Sequence, residues 1–123
     1  MYRTLNVWMN GEFIGTWRYG SVQSFLYNPE WVRSEAGRPL SLSMPFAGEH
    51  TEYRGAVVEA FFDNLLPDSV EMRKRIQSRF GTATIRPFDL LAEIGRDCVG
   101  AVQLLPEEQT PKNLKTIRGK ILT

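Results

Sequence analysis

Residues 4–19 form two runs of alternating side chains on either side of Asn10-Gly11. In the first run Leu5, Val7 and Met9 point one way, and Thr4, Asn6 and Trp8 the other. In the second, Phe13, Gly15, Trp17 and Tyr19 oppose Ile14, Thr16 and Arg18. A period of two marks a strand with one buried face. Asn-Gly tolerates the positive φ angles of a two-residue type I′ turn, so the two runs are expected to fold back on each other as an antiparallel hairpin. Gly20-Ser21 marks a second turn, and Val22 to Tyr27 reads as a third strand. The N-terminal quarter is therefore a β-meander, which restricts the chain to folds built on an antiparallel sheet.

The period then changes. Asn28-Pro29-Glu30 is a helix start, with an Asn cap and a proline at the first position, where a missing N–H costs nothing. Gly37 and Pro39 keep that helix short. Leu40 to Met44 alternates and is expected as a strand, which Pro45 limits to an edge or an ending. Gly48 to Glu52 is polar and reads as a loop. From Gly55 to Leu66 the spacing is helical: Val57, Phe61, Asn64 and Leu65 share one stripe, and Val58, Phe62 and Leu66 an adjacent one. Such a helix should be covered on two sides. Pro67 is expected to end it. Asp68 or Ser69 caps a helix over 69–80, with Met72, Ile76 and Phe80 inward, Arg73, Lys74 and Arg75 solvated, and Gly81 at its end. Pro87 opens a further helix carrying Phe88, Leu90, Leu91 and Ile94, which Gly95 closes. Val99 to Leu105 is the last expected strand. The order predicts an α+β domain over residues 1–106, an antiparallel sheet packed with three to four helices. Residues 107–123 are polar, contain Pro111, and read as a linker or tail.

Composition narrows the function classes. The 123 residues suit one domain, and 42% hydrophobic with 24% charged residues is ordinary for a soluble one. Fifteen basic residues against fourteen acidic ones argue against a dedicated nucleic-acid binder. The lone Cys98 and lone His50 supply neither an internal disulfide nor a four-ligand zinc site, and a reducing cytoplasm is the expected compartment. No run approaches the ~20 apolar residues of a membrane span. Phosphoryl transfer needs a phosphate cradle, metal-binding carboxylates and a residue to orient the nucleophile. None of these is legible: there is no glycine-rich phosphate loop, and Asp63-Asn64, adjacent on a helix, diverge by ~100°. No catalytic, cofactor-binding or metal-binding residue is expected.

The remaining candidates are contact residues. Asn64, Leu65, Pro67 and Asp68 form a proline-stiffened helix end bearing polar groups. Trp8, Trp17 and Trp31 are aromatics with one polar edge, a type enriched at interfaces, although they also suit the rim of a core. Arg96-Asp97 follows a helix-ending glycine, and either braces that turn or meets a partner. Arg73-Lys74-Arg75 with Arg79 reads as a solvated face. His50 reads as a solvated loop histidine.

Five short motifs occur together in one order: Trp8-Met9-Asn10-Gly11 with Gly15; Tyr27 and Trp31; Arg38 to Pro45; Phe61 to Asp68; and Pro87 to Val102. Over residues 3–106 this pattern resembles the N-terminal module of HipA-type toxin kinases. The resemblance implies an α+β subdomain that packs against a kinase whose catalytic lobes lie downstream. It also implies a system that includes a HipB-like DNA-binding antitoxin. None of that family's catalytic motifs maps onto a position here. Two arrangements follow. In a split system the front module is a separate small protein, HipS, that docks on a HipA- or HipT-like kinase core and restrains it. Otherwise the chain is the leading part of a longer HipA-like serine/threonine kinase. A third expectation, from another class, is a small-ligand-binding α+β module.

Overall fold

A computed structural model describes residues 3–97, 102–107 and 109–110. The elements are β1 (Arg3–Met9), β2 (Glu12–Tyr19), β3 (Ser24–Tyr27), α1 (Pro29–Arg33), β4 (Glu52–Arg54), α2 (Ala56–Asp63), α3 (Val70–Phe80), α4 (Pro87–Ile94), a 3-10 turn at Gly95–Asp97, and β5 (Gln103–Leu105). The strands form one antiparallel sheet in the order β4-β3-β2-β1-β5. The fold is α+β, as the sequence predicts.

The hairpin forms as expected, with Asn10 at φ 51° and Gly11 at φ 78°. Its strands are not simply alternating, however. Val7 faces Gly15 but Trp8 faces Phe13, so Ile14 has no partner across the ladder. This β-bulge lets Ile14 and Gly15 both be buried and moves Phe13 beside Trp8. Gly15 is obligatory there, because a Cβ would lie 2.4 Å from the Leu26 carbonyl oxygen and 2.6 Å from the Phe25 ring.

One sheet face carries the core. Trp17 stacks on Phe62 of α2 with ring centres 3.8 Å apart and lies tilted against Phe88 of α4 at 4.8 Å. Leu5, Val7, Ile14, Phe25, Val58, Leu90, Leu91 and Leu104 complete the cluster. Burying each large side chain contributes about 1.5–3 kcal/mol. An aromatic pair adds roughly 0.5–1.5 kcal/mol beyond its area.

Helix boundaries follow local chemistry. The Asn28 side chain accepts the Glu30 N–H at the start of α1, and Ser69 accepts the Met72 N–H at the start of α3. Gly81 ends α3, and Pro87 opens α4.

Four expectations need correction. Leu40 to Met44 is a turn-rich loop, not a strand: the Ser41 hydroxyl accepts the Ser43 N–H, and the Met44 N–H donates to the Ser41 carbonyl. Leu42 stands wholly in solvent while Met44 is fully buried, so the alternation there reflects anchoring rather than pleating. The stretch expected as polar loop instead leads into β4, which pairs with β3 through Glu52 and Tyr53. Helix α2 ends at Asp63, before Pro67, in a tight turn where Leu65 and Leu66 donate to the Phe62 and Asp63 carbonyls. Finally, Met72 and Phe80 of α3 are about half exposed, and only Ile76 of the three expected inward residues packs on the core without being exposed. Cys98 and the expected start of the last strand at Val99 lie outside the described residues, as does the tail from 111 onward.

Candidate functional site

The turn between α2 and α3 holds four of the expected contact residues. Its shape is fixed from α3: Arg73, expected in solvent, folds back instead. Its Nε donates to the Pro67 carbonyl at 2.7 Å, and its terminal nitrogens donate to the Asp63 carboxylate at 2.8 Å and the Asp63 carbonyl at 3.3 Å. The guanidinium fork spans both ends of the turn, a role its planar donors suit. Leu65 packs on the core beneath, while Asn64 and Asp68 are left exposed. The result is a latched turn with two polar side chains offered to solvent. Its chemistry is that of recognition through hydrogen bonds.

Trp17 does not belong to any surface. It has no exposed area, and its Nε1–H donates to the Gln23 side chain at 3.0 Å. The sequence expectation that it meets a partner is therefore corrected: it is the centre of the core. Trp31 is nearly buried, with its Nε1–H on the Arg38 carbonyl at 2.9 Å. Trp8 is half-buried against Phe13, and its Nε1–H is buried without an acceptor among the described residues. Trp8, Phe13 and Trp31 line a groove of about 410 Å3 between the hairpin and α1, together with Glu12, Asn28 and Glu30. Arg96 is exposed in the 3-10 turn after α4, and its carbonyl accepts from the Gln103 side chain at 2.6 Å. It lies apart from the α2–α3 turn in the chain, and no bond recorded among the described residues joins the two.

Two further clusters were not fully legible in the sequence. The Tyr27 hydroxyl donates to the Met44 carbonyl at 2.6 Å and accepts the Leu40 N–H at 2.7 Å. Burial pushes its pKa up, against the smaller opposing effect of backbone hydrogen bonding from Leu40 and Ser41. Tyr53 donates to the Pro45 carbonyl at 2.6 Å. The motif from Arg38 to Pro45 is thus held by aromatic polar atoms from three elements. Asp89, expected in the first turn of its helix, accepts from Arg3 at 2.6 Å and from the Thr84 hydroxyl. Burial alone would raise its pKa; the Thr84 and Arg3 hydrogen bonds, with the Arg3 and Arg86 charges, outweigh it, and the carboxyl stays below its ordinary value.

His50 is exposed, as expected of a loop histidine. Among the described residues no group of three histidine, cysteine or acidic side chains could hold a metal ion, and no helix is long and apolar enough to cross a membrane.

Comparison with known proteins matches residues 5–105 to the HipA N-terminal domain. Among curated proteins the chain is 37% identical over 112 residues to "Putative kinase Y4mE" of Sinorhizobium fredii, an alignment covering 89% of this chain and 26% of that protein. It is 40% identical over 88 residues to "Putative kinase Y4dM" of the same organism, covering 68% of this chain and 21% of that protein. The chain spans about a quarter of the length of these relatives.

Proposed function

Because this chain belongs to the HipA N-terminal domain family, we propose that it acts by contact: a non-catalytic module of a HipA-type toxin–antitoxin system that docks on the kinase core and regulates it, as a HipS-like antitoxin does. The observation that carries the reading is the latched α2–α3 turn. A family motif, Phe61 to Asp68, ends in two exposed polar side chains whose backbone is held rigid by Arg73. Preorganised polar groups of this kind bind with little ordering cost. Asn64, Leu65, Pro67 and Asp68 form the primary contact, with Trp8 and Arg96 secondary. In this reading the chain holds no nucleotide, metal or nucleic acid of its own.

The test is addition of the purified chain to a HipA-like kinase core lacking its own front module. Phosphorylation of the kinase's protein substrate slows, and Asn64→Ala with Asp68→Ala weakens the effect by roughly tenfold or more, the scale of one or two lost interfacial hydrogen bonds. Absence of binding at micromolar concentration overturns the antitoxin reading.

The length of the relatives favours a second reading, in which the module is the leading part of a longer HipA-like serine/threonine kinase. The same turn then meets the catalytic part within one polypeptide. Continuation of the reading frame beyond Thr123 into kinase motifs selects this alternative, and a separate downstream frame for the kinase selects the first.

A further inference from the structure

Helix α3 gathers apolar and basic surface in 11 residues. Among the described residues six large apolar side chains are exposed, and three of them, Val70, Met72 and Phe80, belong to this helix. Lys74, Arg75 and Arg79 are exposed on it as well, and none lies within ion-pair distance of a carboxylate among the described residues. The fourth cation, Arg73, is engaged in the latch. Glu71 is the helix's one acid, placed in the first turn where the dipole favours it. Four basic residues against one acidic contrast with a net charge of only +1 for the whole chain. A spacing of four aligns Met72, Ile76 and Phe80 in one row, and Glu71, Arg75 and Arg79 in the row beside it. Ile76 packs on the core, while Met72 and Phe80, one turn to either side, are about half exposed. The Arg79 guanidinium lies 5.9 Å from the centre of the Phe80 ring, so the two rows meet at the end of the helix.

We propose that this face of α3 receives an acidic amphipathic helix of a partner protein, whose apolar side chains lie on Met72 and Phe80 and whose carboxylates meet Arg75 and Arg79. Each row then has its counterpart. Covering the two half-exposed side chains removes apolar surface from water, and a guanidinium fork donates two parallel hydrogen bonds to a carboxylate. Nucleic acid would engage the cations alone and leave Met72 and Phe80 wet. An anionic membrane requires a broad apolar face that enters the acyl boundary, whereas α3 offers a single row whose middle residue already packs on the core. Lys74 lies roughly 160° around the helix axis from Met72 and stays outside the contact. The surface is separate from the α2–α3 turn and its test involves no kinase, so its failure leaves the docking reading untouched.

The experiment titrates the 15N-labelled chain with an end-capped peptide of about 15 residues, built of leucine, alanine and glutamate with the leucines three and four apart. The amide signals of α3 shift and saturate, while those of β1 and β2 stay fixed. The same residues in an order that disperses the leucines around the helix bind at least ~10-fold more weakly. R75E/R79E, altered only at exposed positions, loses the peptide to the same degree and instead binds its counterpart with lysine in place of glutamate. K74E, an equal change of charge on the other side of the helix, loses no more than about threefold. Unmoved α3 signals, equal binding of the dispersed peptide, no exchange of preference in R75E/R79E, or a loss in K74E as large as in that variant each overturns the proposal. A stronger response of the same amides to phosphatidylserine vesicles or to duplex DNA overturns it as well.

Discussion

The segment between α1 and β4 and the helix α3 make opposite use of their hydrogen bonds. The first has no regular secondary structure, yet its backbone is tied down by side chains: Tyr27 holds Leu40 and Met44, Trp31 holds Arg38, Tyr53 holds Pro45, and the Thr51 hydroxyl accepts the Ala47 N–H. The second is a regular helix with Ser69 at its cap, Glu71 in its first turn and Arg79 in its last, and none of its residues is buried. Backbone polar groups must be satisfied, but the partner need not be the next turn of a helix. Regularity and integration into the core are separate properties, and here they fall in different places.

Met44→Ala tests the contrast most severely. Met44 is fully buried in the irregular segment, and its truncation should cost about 2–5 kcal/mol in urea unfolding. Met72→Ala, in the regular helix, should stay within about 0.5 kcal/mol. Equal costs would break the comparison. Tyr27→Phe comes next, at about 1–3 kcal/mol, because it strands a buried carbonyl and leaves the Leu40 N–H without its acceptor. Its matched control is Ser69→Ala, at about 1 kcal/mol. Hydrogen exchange sharpens this pair: the Tyr27 variant should raise exchange across β3 and the core, whereas the Ser69 variant should raise it within α3 alone.

The smallest effect lies in Asp89, which ties α4 to β1 through Arg3. Its carboxyl binds a proton more readily in the unfolded chain than in the folded one. The stabilisation is therefore present above the unfolded pKa and is lost as pH falls through the folded value. The stability difference between the natural chain and Asp89→Asn should shrink between pH ~5 and ~2, from no more than about 1 kcal/mol at neutral pH. A difference that grows on acidification would contradict the lowered pKa.

The sheet and helix ends were readable wherever the signal was local. Asn10-Gly11 announced the hairpin, and Asn28-Pro29, Ser69, Gly81 and Pro87 marked helix boundaries, because each acts within four residues of itself. What escaped depends on distance along the chain. Leu40 to Met44 looked like a strand because nothing nearby says that Tyr27, 13 and 17 residues earlier, supplies its partners. Glu52 looked like the end of a loop, and Tyr53 and Arg54 announced no strand, because an edge strand with a charged outer row shows little apolar alternation. Arg73 looked solvated because its acceptors, Asp63 and Pro67, belong to the preceding helix end. For the candidate site, the sequence singled out Asn64 and Asp68 but not the side chain that fixes them. It also grouped Trp17 with Trp8, although one is the centre of the core and the other borders a groove. A tryptophan's edge chemistry is the same in both places; only its neighbours differ.

The extra residue in β2 has a genetic corollary. Substitutions along the strand alter one side chain at a time, but deleting a single codon at Ile14 would restore plain pairing with β1 and leave residues 12–13 opposite Met9 and Trp8 as before. Phe13 would stay beside Trp8, while the core would lose a side chain that has no exposed area. Length, as well as composition, is therefore a heritable control over how much this strand gives to the interior.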